Sequence, residues 1–528
     1  MNYAHEVLYE DFETMLGVDT VDTQLVRDCL VRLETEGRIA GTPDHYHFPF
    51  PYNTESPLCH DLRHVIHAIC DQDCSGVSTV SPKDYNASLL PHHYGYIYSI
   101  VDSNNPRLED SPQNLVVHPD LCLVVDEVTQ QEGVKKSWNQ VVLPIEVKAA
   151  ETTPVVLQHS VQVLSALQTQ ECRLYTYSAT FQGRNCRLYL WDRSGFMTSE
   201  TFNFTDNNGL TRLIRIFLRF NQMSLGEHGF DPTAFSVEPQ SNQLTPPLKL
   251  PIFIRHKATM LTFCLEKRLT SGCDLFGKDT RCWSATFCTS DRIPKTALPA
   301  STSVIKESWL PEAANMSTIS AACLVLQRQA NTQETAQWLH WELTIRHSWS
   351  ARDDAVEEGD PESLDISDGY EAGLYAYLSA FKIKGLASFR AAEKLESTYV
   401  NIRKCHGYGE YLPRIRYRVI LDTCGKPLRE AKTPHELLSA LLDILDGMCD
   451  LCLLFESFSF HDWCAAHEDL CRRGILHRDI SDNNCLMRCD NGKGFLTDLD
   501  LAISLQRKAL LEASGRHHRT VRLSLLFS

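Results

Sequence analysis

The spacing of apolar and polar positions changes along the chain, and the changes mark out elements. "TQLVRDCLVRLETEGRI" repeats its apolar residues every three or four positions, which predicts an amphipathic helix. "NLVVHPDLCLVVDEV", "QVVLPIEVKAA" and "CRLYLWDRSG" are short runs rich in Val, Ile, Leu and Tyr, and predict strands. "VLQHSVQVLSALQTQ" lies between them with helical spacing, and "GLTRLIRIFLRFNQM" predicts a helix that closes the unit. Such alternation predicts a mixed α/β domain. "GEHGFDPTAFSVEPQSNQLTPPLKLP" has no sustained period and is rich in Pro, Gly and polar residues, so it predicts a connection. Beyond it, "TPHELLSALLDILDGM" opens with Thr433 and has Glu436 three residues later, the capping-box start of a helix. "ARDDAVEEGDPESLDISDG" predicts an exposed acidic loop. The expected organisation is a mostly helical region over 1–90, a mixed α/β domain over 91–227, a linker over 228–250 and a further domain over 251–528.

Composition narrows this picture. A chain of 528 residues exceeds one ordinary core, and 43% hydrophobic with 22% charged residues excludes wholesale disorder. The net charge of -16 argues against general attraction to nucleic acid, while leaving a local basic face open. "MNYAHEVLYEDFETML" has neither a basic start nor an apolar run, so no secretory signal is read there. The 20 cysteines are therefore expected to be reduced thiols of an intracellular protein. "CDLCLLFESFSF" is too short and too charged to span a bilayer, and no membrane association is expected. Its Cys449 and Cys452 form a CxxC with no second pair at zinc-finger spacing, and read as buried thiols. His60, His64 and His67, followed by Cys70 and Cys74, match no standard zinc spacing and read as an ordinary helix face.

The densest chemistry lies in "GILHRDISDNNCLMRCDNGKGFLTDLDLA". His477-Arg478-Asp479 is followed by Asn484 at the interval of H-R-D-x-x-x-x-N, the loop in which phosphoryl-transfer enzymes place a base and a metal ligand. "CDNGKG" predicts a hairpin turn, and "GFLTDLDLA" places Asp498 after a short strand, where a second metal ligand belongs. Phosphoryl transfer also needs a lysine on the nucleotide phosphates. Lys306 in "SVIKESW" is preferred over Arg346 in "LTIRHSW", because a guanidinium changes the donor geometry. Glu371 in "GYEAGLYAYL" is a candidate partner only if the intervening residues are an insertion. Upstream, Asp120 followed by Glu146-Val147-Lys148 has the order of a PD-(D/E)xK nuclease, in which two carboxylates hold a metal and a lysine assists the attacking water. The motif is short and degenerate, and the same residues are more readily read as exposed charges at the edge of a sheet.

"GILHRDIS" followed by "TDLDLA" resembles the fungal-type protein kinase family, in which HRDIS and a D-F-D-L-A variant are habitual and Ser481 stands where most protein kinases carry Lys. "YRVILDTCGKPL" resembles its hinge strand, "SVIKESW" its third strand and "LFGKDTRCW" a reduced glycine loop around Gly277. "LPIEVKAA" and "LYLWDRSGFMTSETF" are similar to its N-terminal half, so the resemblance runs from about Pro119 to Ala502. It implies an α+β, bilobal protein-kinase-like domain and transfer of the γ-phosphoryl of ATP to a Ser or Thr hydroxyl of a protein. In that role Asp479 would be catalytic, with His477 and Arg478 bracing it. Asn484 and Asp498 would hold Mg²⁺, and Lys306 and Gly277 would contact ATP. After Arg519-Thr520, "HHRTVRLSLLFS" departs from the family's usual continuation, and "CDLCLLFESFSFHDW" interrupts what resembles one helix. An incomplete lower lobe and weak or absent activity are therefore expected. A pseudokinase scaffold or a PD-(D/E)xK-type nuclease-like effector is the alternative.

Overall fold

The computed structural model describes residues 4–42, 45–70, 97–102, 119–126, 138, 141–150, 156–170, 172–224, 226–231, 233, 250–256, 259–270, 279–288, 302–311, 370–379, 385–403, 413–445, 475–477, 479, 481, 483–500 and 502–504. Two sheets organise them. The first has the order β1 (Ala4–Val7), β7 (Gly195–Ser199), β6 (Asn185–Asp192), β5 (Thr176–Gln182), β4 (Val141–Lys148), β3 (Leu121–Asp126), β2 (Ile97–Asp102), with β8 (Phe202–Asn203) on β6. The β1–β7 and β4–β5 pairs are parallel and the others antiparallel. The parallel β4–β5 step requires a crossover, and α4 (Val156–Thr169) supplies it.

β4 is buried along nearly its whole length, as expected of a strand covered on both faces. Helices α1 (Tyr9–Leu16), α2 (Thr23–Thr35), α3 (Glu55–Cys70) and α5 (Asn207–Gln222) pack around this sheet. Asp22 accepts from the Gln24 amide at the start of α2, and Asp206 caps α5 through the Gly209 amide. One hydrophobic core runs through Phe12, Leu33, Leu62, Ile145, Leu190 and Phe217. The helices of residues 1–90 and the strands of 91–227 thus share a core. Within 228–250, His228 and Asp231 are buried.

The second sheet is antiparallel, in the order β13 (Phe389–Ser397), β14 (Arg414–Leu421), β12 (Thr302–Pro311), β11 (Arg281–Cys288), β10 (Thr259–Arg268), β9 (Leu250–His256). Its strands alternate between two environments with the period of two that a pleat dictates. On β12, Ile305 and Trp309 join hydrophobic clusters and Glu307 meets buried arginines, while Val304 packs with α6 (Tyr370–Ser379) in a separate core and Lys306 reaches Glu371 on that helix. On β14, Arg416 and Arg418 meet Asp231, while Val419 and Leu421 join the α6 core. One face of the sheet therefore rests on the α/β unit and the other on α6.

Ion pairs seal the contact between the two units. Arg403 grips Asp192 at 2.7 Å, and Arg281 donates to the carbonyls of Arg173 and Leu167. Ser194 and Thr398 share a hydrogen bond at 2.8 Å. A small sheet of β15 (Gly425–Pro427), β17 (Cys485–Arg488) and β18 (Gly494–Leu496) completes the described core with α7 (Pro434–Leu445). β16 (Ile475–Leu476) pairs with β19 (Ile503–Ser504). No helix of the described residues is long and apolar enough to cross a membrane.

Candidate active site

Lys306 sits in the middle of the second sheet, opposite Cys282 of β11 and Val419 of β14. Its ammonium lies 2.8 Å from both carboxylate oxygens of Glu371, 2.8 Å from Asp498 Oδ1 and 3.7 Å from Asp500 Oδ2. Burial alone would lower its pKa, but Asp498 and Glu371 outweigh that and hold it above the ordinary lysine value. Glu371 occupies the first turn of α6, and Tyr375 lies one turn later on the same side. The Tyr375 hydroxyl accepts from the Asp498 amide at 3.1 Å and lies 3.3 Å from Thr497 Oγ1. α6 therefore presents both the carboxylate that fixes Lys306 and the hydroxyl that holds the backbone of Asp498.

Asp498 has φ +67°, a left-handed conformation that Asp tolerates better than most residues and that concentrates at functional sites. This turn carries the Asp498 carboxylate to Lys306. Carboxylate oxygens of Glu371, Asp498 and Asp500 all lie within 4.8 Å of one another, a separation a cation could bridge. Hard oxygen donors of this kind suit Mg²⁺ or Mn²⁺.

The loop preceding β17 is tied to the same place. The Asn484 amide donates to the Asp479 carbonyl at 3.0 Å and to Asp479 Oδ2 at 2.9 Å. The amide of Thr497 donates to the Asn484 carbonyl at 3.0 Å, so the hairpin of β17 and β18 fixes Asn484 beside Asp498. His477 is fully buried, with Nε2 3.0 Å from the Thr497 carbonyl and Nδ1 3.4 Å from the Asp479 amide. A carbonyl can only accept, so Nε2 carries the proton and Nδ1 accepts from Asp479. One neutral imidazole thus links the two loops. Arg478, Gly277 and Arg346 lie outside the described residues, as do Cys74, Cys449 and Cys452.

The upstream acidic residues also meet. Asp120 Oδ2 accepts from the Val147 amide at 2.7 Å, and Lys148 lies 2.6 Å from Glu146 and 3.4 Å from Asp120. Burial and the neighbouring Asp120 push the Glu146 carboxyl up to about 7. The pattern of charges over 120–148 did not point to Glu55, yet its carboxylate is 3.5 Å from Lys148. Gln158 and Gln162, both on α4, donate to Glu146 and were equally unsignalled. Of the other histidines, His60 and His64 stand 3.1 Å apart on the exposed side of α3.

A family model described as fungal protein kinase matches residues 118–523, well over half of the chain. The chain belongs to the fungal protein kinase family. The match spans the upstream α/β strands β3 to β8 as well as the sheet of Lys306 and the loop of Asp479, so the family's extent includes both units. No curated protein matches the chain.

Proposed function

We propose that this fungal protein kinase transfers the γ-phosphoryl of ATP to a Ser or Thr hydroxyl of a protein substrate. The observation that carries the reading is the convergence of Lys306, Glu371 and Asp498 beside the Asp479–Asn484 pair. The strand order β9-β10-β11-β12-β14-β13, with α6 between β12 and β13, supports reading the second sheet as the upper lobe of a bilobal kinase.

In this reading Asp479 orients the acceptor hydroxyl and takes its proton as the bond to phosphorus forms. The Asn484 amide holds the Asp479 carboxylate in place, and His477 fixes the backbone of the same loop. Lys306, positioned by both oxygens of Glu371, contacts the nucleotide phosphates. Asp498 and Asn484 would hold Mg²⁺, with Asp500 adjacent, and the metal supplies neutralisation of the phosphate charge when bound.

The test is phosphate transfer from labelled ATP, in the presence of Mg²⁺, to generic Ser/Thr substrates and to the chain itself. The wild-type chain should incorporate label, and Asp479→Asn should lose it by 100-fold or more, a typical scale for removing a general base, ~10²–10⁴. Asp498→Asn should abolish Mg-ATP binding, read by thermal shift. Transfer undiminished in Asp479→Asn would overturn the proposal, and so would a chain that neither transfers phosphate nor binds Mg-ATP.

A further inference from the structure

The upstream α/β unit contains a second constellation that phosphoryl transfer from ATP does not use. Glu55 at the start of α3, Asp120 just before β3, and Glu146 and Lys148 at the end of β4 come from three elements and converge on one ammonium. Here three carboxylates gather on Lys148, with Glu146 fully buried, Asp120 15% exposed and Glu55 half exposed. Carboxylates crowded in a poorly solvated place disfavour one another's charged forms, and a divalent cation between them would relieve that repulsion.

The surroundings are built to hold that geometry. Gln162 donates to Glu146 Oε2 at 2.6 Å, Gln158 donates to the other oxygen, and the Val147 amide fixes Asp120. These partners orient the carboxylates before any ligand arrives, as the outer partners of metal ligands do. The topology adds an independent pointer. β3 and β4 are antiparallel, β4 and β5 are parallel, and α4 crosses between them. The constellation thus lies at the carboxyl end of a parallel strand, where open α/β sheets bind ligands. Burial grades outward from Glu146 at 0% through Lys148 at 13% to Glu55 at 48%, so the site opens to solvent on one side.

We propose that Asp120 and Glu146 bind a divalent cation, with Lys148 beside them, and that this site hydrolyses a phosphodiester. Oxygen ligands from two carboxylates, with room for water, are what Mg²⁺ or Mn²⁺ requires. A cation-bound water adds its oxygen to phosphorus while the bond from phosphorus to one ester oxygen breaks. The water's proton passes to solvent, and the departing alkoxide takes one from solvent. No electrons change hands, and the products are a phosphomonoester and an alcohol. The Lys148 ammonium faces the non-bridging oxygens and offsets the charge that grows on them. Glu55 holds the ammonium from the open side.

The full-length chain carrying Asp498→Ala and Asp500→Ala, which removes the other cation site, is titrated with Mn²⁺ alone by calorimetry. It is then assayed with Mn²⁺ and with Mg²⁺ on single- and double-stranded DNA, on RNA, and on bis(p-nitrophenyl) phosphate. The arms distinguish which source of phosphodiester is taken. Saturable Mn²⁺ binding weakened at least tenfold by Glu146→Gln is expected, with cleavage of at least one substrate lost 100-fold in Asp120→Asn and in Lys148→Met. Asp120→Asn keeps an oxygen for the Val147 amide, and an unchanged near-ultraviolet dichroism spectrum shows that it has folded. Absence of both Mn²⁺ binding and cleavage overturns the proposal. Mn²⁺ binding with no cleavage of any of the four substrates overturns the hydrolytic part, and cleavage that survives Lys148→Met overturns the role of the lysine.

Discussion

Asp231 Oδ2 lies 2.6 Å from Nη1 of Arg416 and 3.0 Å from Nη2 of Arg418, with all three side chains buried. Asp231 follows the last helix of the α/β unit, and the two arginines stand on β14 of the second sheet. Glu307, Glu393 and Glu396 also pair with these guanidiniums, from β12 and β13. Burial would raise the Asp231 carboxyl, but the guanidiniums of Arg416 and Arg418 hold it below the usual carboxylate range. Asp231 is the α/β unit's carboxylate in this network, and its loss costs at most about 3–5 kcal/mol, the cost of a broken buried pair, because Glu307, Glu393 and Glu396 still serve the two arginines. Asp231→Asn is therefore expected to lower the urea midpoint sharply and to separate one unfolding transition into two. A single transition at the wild-type midpoint would show that the contact contributes nothing to the union of the units.

A second buried ion pair joins the units. Asp279, with φ +40°, stands just before β11, and its Oδ2 lies 2.8 Å from both Arg193 and Arg281. Arg193 belongs to the α/β unit, where it follows β6. In the kinase reading the segment preceding Asp279 would contact ATP, and Arg193 of the upstream unit holds Asp279 at its end. Arg193→Met should raise the KM for ATP by roughly tenfold, ~1.4 kcal/mol, while kcat changes little. A fall in kcat at constant KM would argue that Arg193 acts elsewhere.

Acid should destabilise the α/β unit through two histidines. Burial lowers His159 to about 4, and burial with Arg173 nearby lowers His228 to about 3. A histidine whose folded pKa is depressed is neutral in both states above the unfolded value of about 6.5, so its contribution is intact there. Below that, the unfolded chain takes up the proton first, and stability is lost as pH falls from 6.5 toward the folded values. At pH 4 the loss is on the order of 3 kcal/mol for each. Thermal unfolding followed between pH 7 and pH 4 should show the fall, and His228→Gln should flatten it. A slope unchanged in that variant would assign the acid sensitivity to other groups.

Local patterns in the sequence announced much of this structure. The β3, β4 and β6 runs, the helix of α5 and the hairpin of β17 and β18 each follow from spacing and turn chemistry within a dozen residues. Thr433 caps α7 through the Glu436 amide, as the capping pattern requires, although Glu436 reaches back to the Lys432 amide and not to that of Thr433. The interval from His477 to Asn484 similarly encodes a hydrogen-bonded loop. What could not be read were pairings between distant segments. Glu371 was conditional because 65 residues separate it from Lys306, and only the packing of α6 against the sheet brings them together. The first helices look like a separate region until β1 pairs with β7 and Phe12 joins the core of Ile145. Asp231 with Arg416, and Glu55 with Lys148, are ion pairs across the fold with no local signature.

Lys306 also suppresses repulsion among Glu371, Asp498 and Asp500, whose carboxylate oxygens stand within 4.8 Å of one another. Like charges so close in a partly buried site cannot all remain ionised without a counter-charge. Lys306→Met should therefore destabilise the metal-free chain, and a divalent cation should restore part of the loss by taking the ammonium's place. In a thermal melt, Mg²⁺ or Mn²⁺ should raise the midpoint of Lys306→Met more than that of the wild type. Adding Asp500→Asn to Lys306→Met removes one of the three charges, so it should recover stability without metal and reduce the response to it. If cations stabilise the wild type and Lys306→Met equally, the three carboxylates do not form a cation site and Lys306 is not its counter-charge.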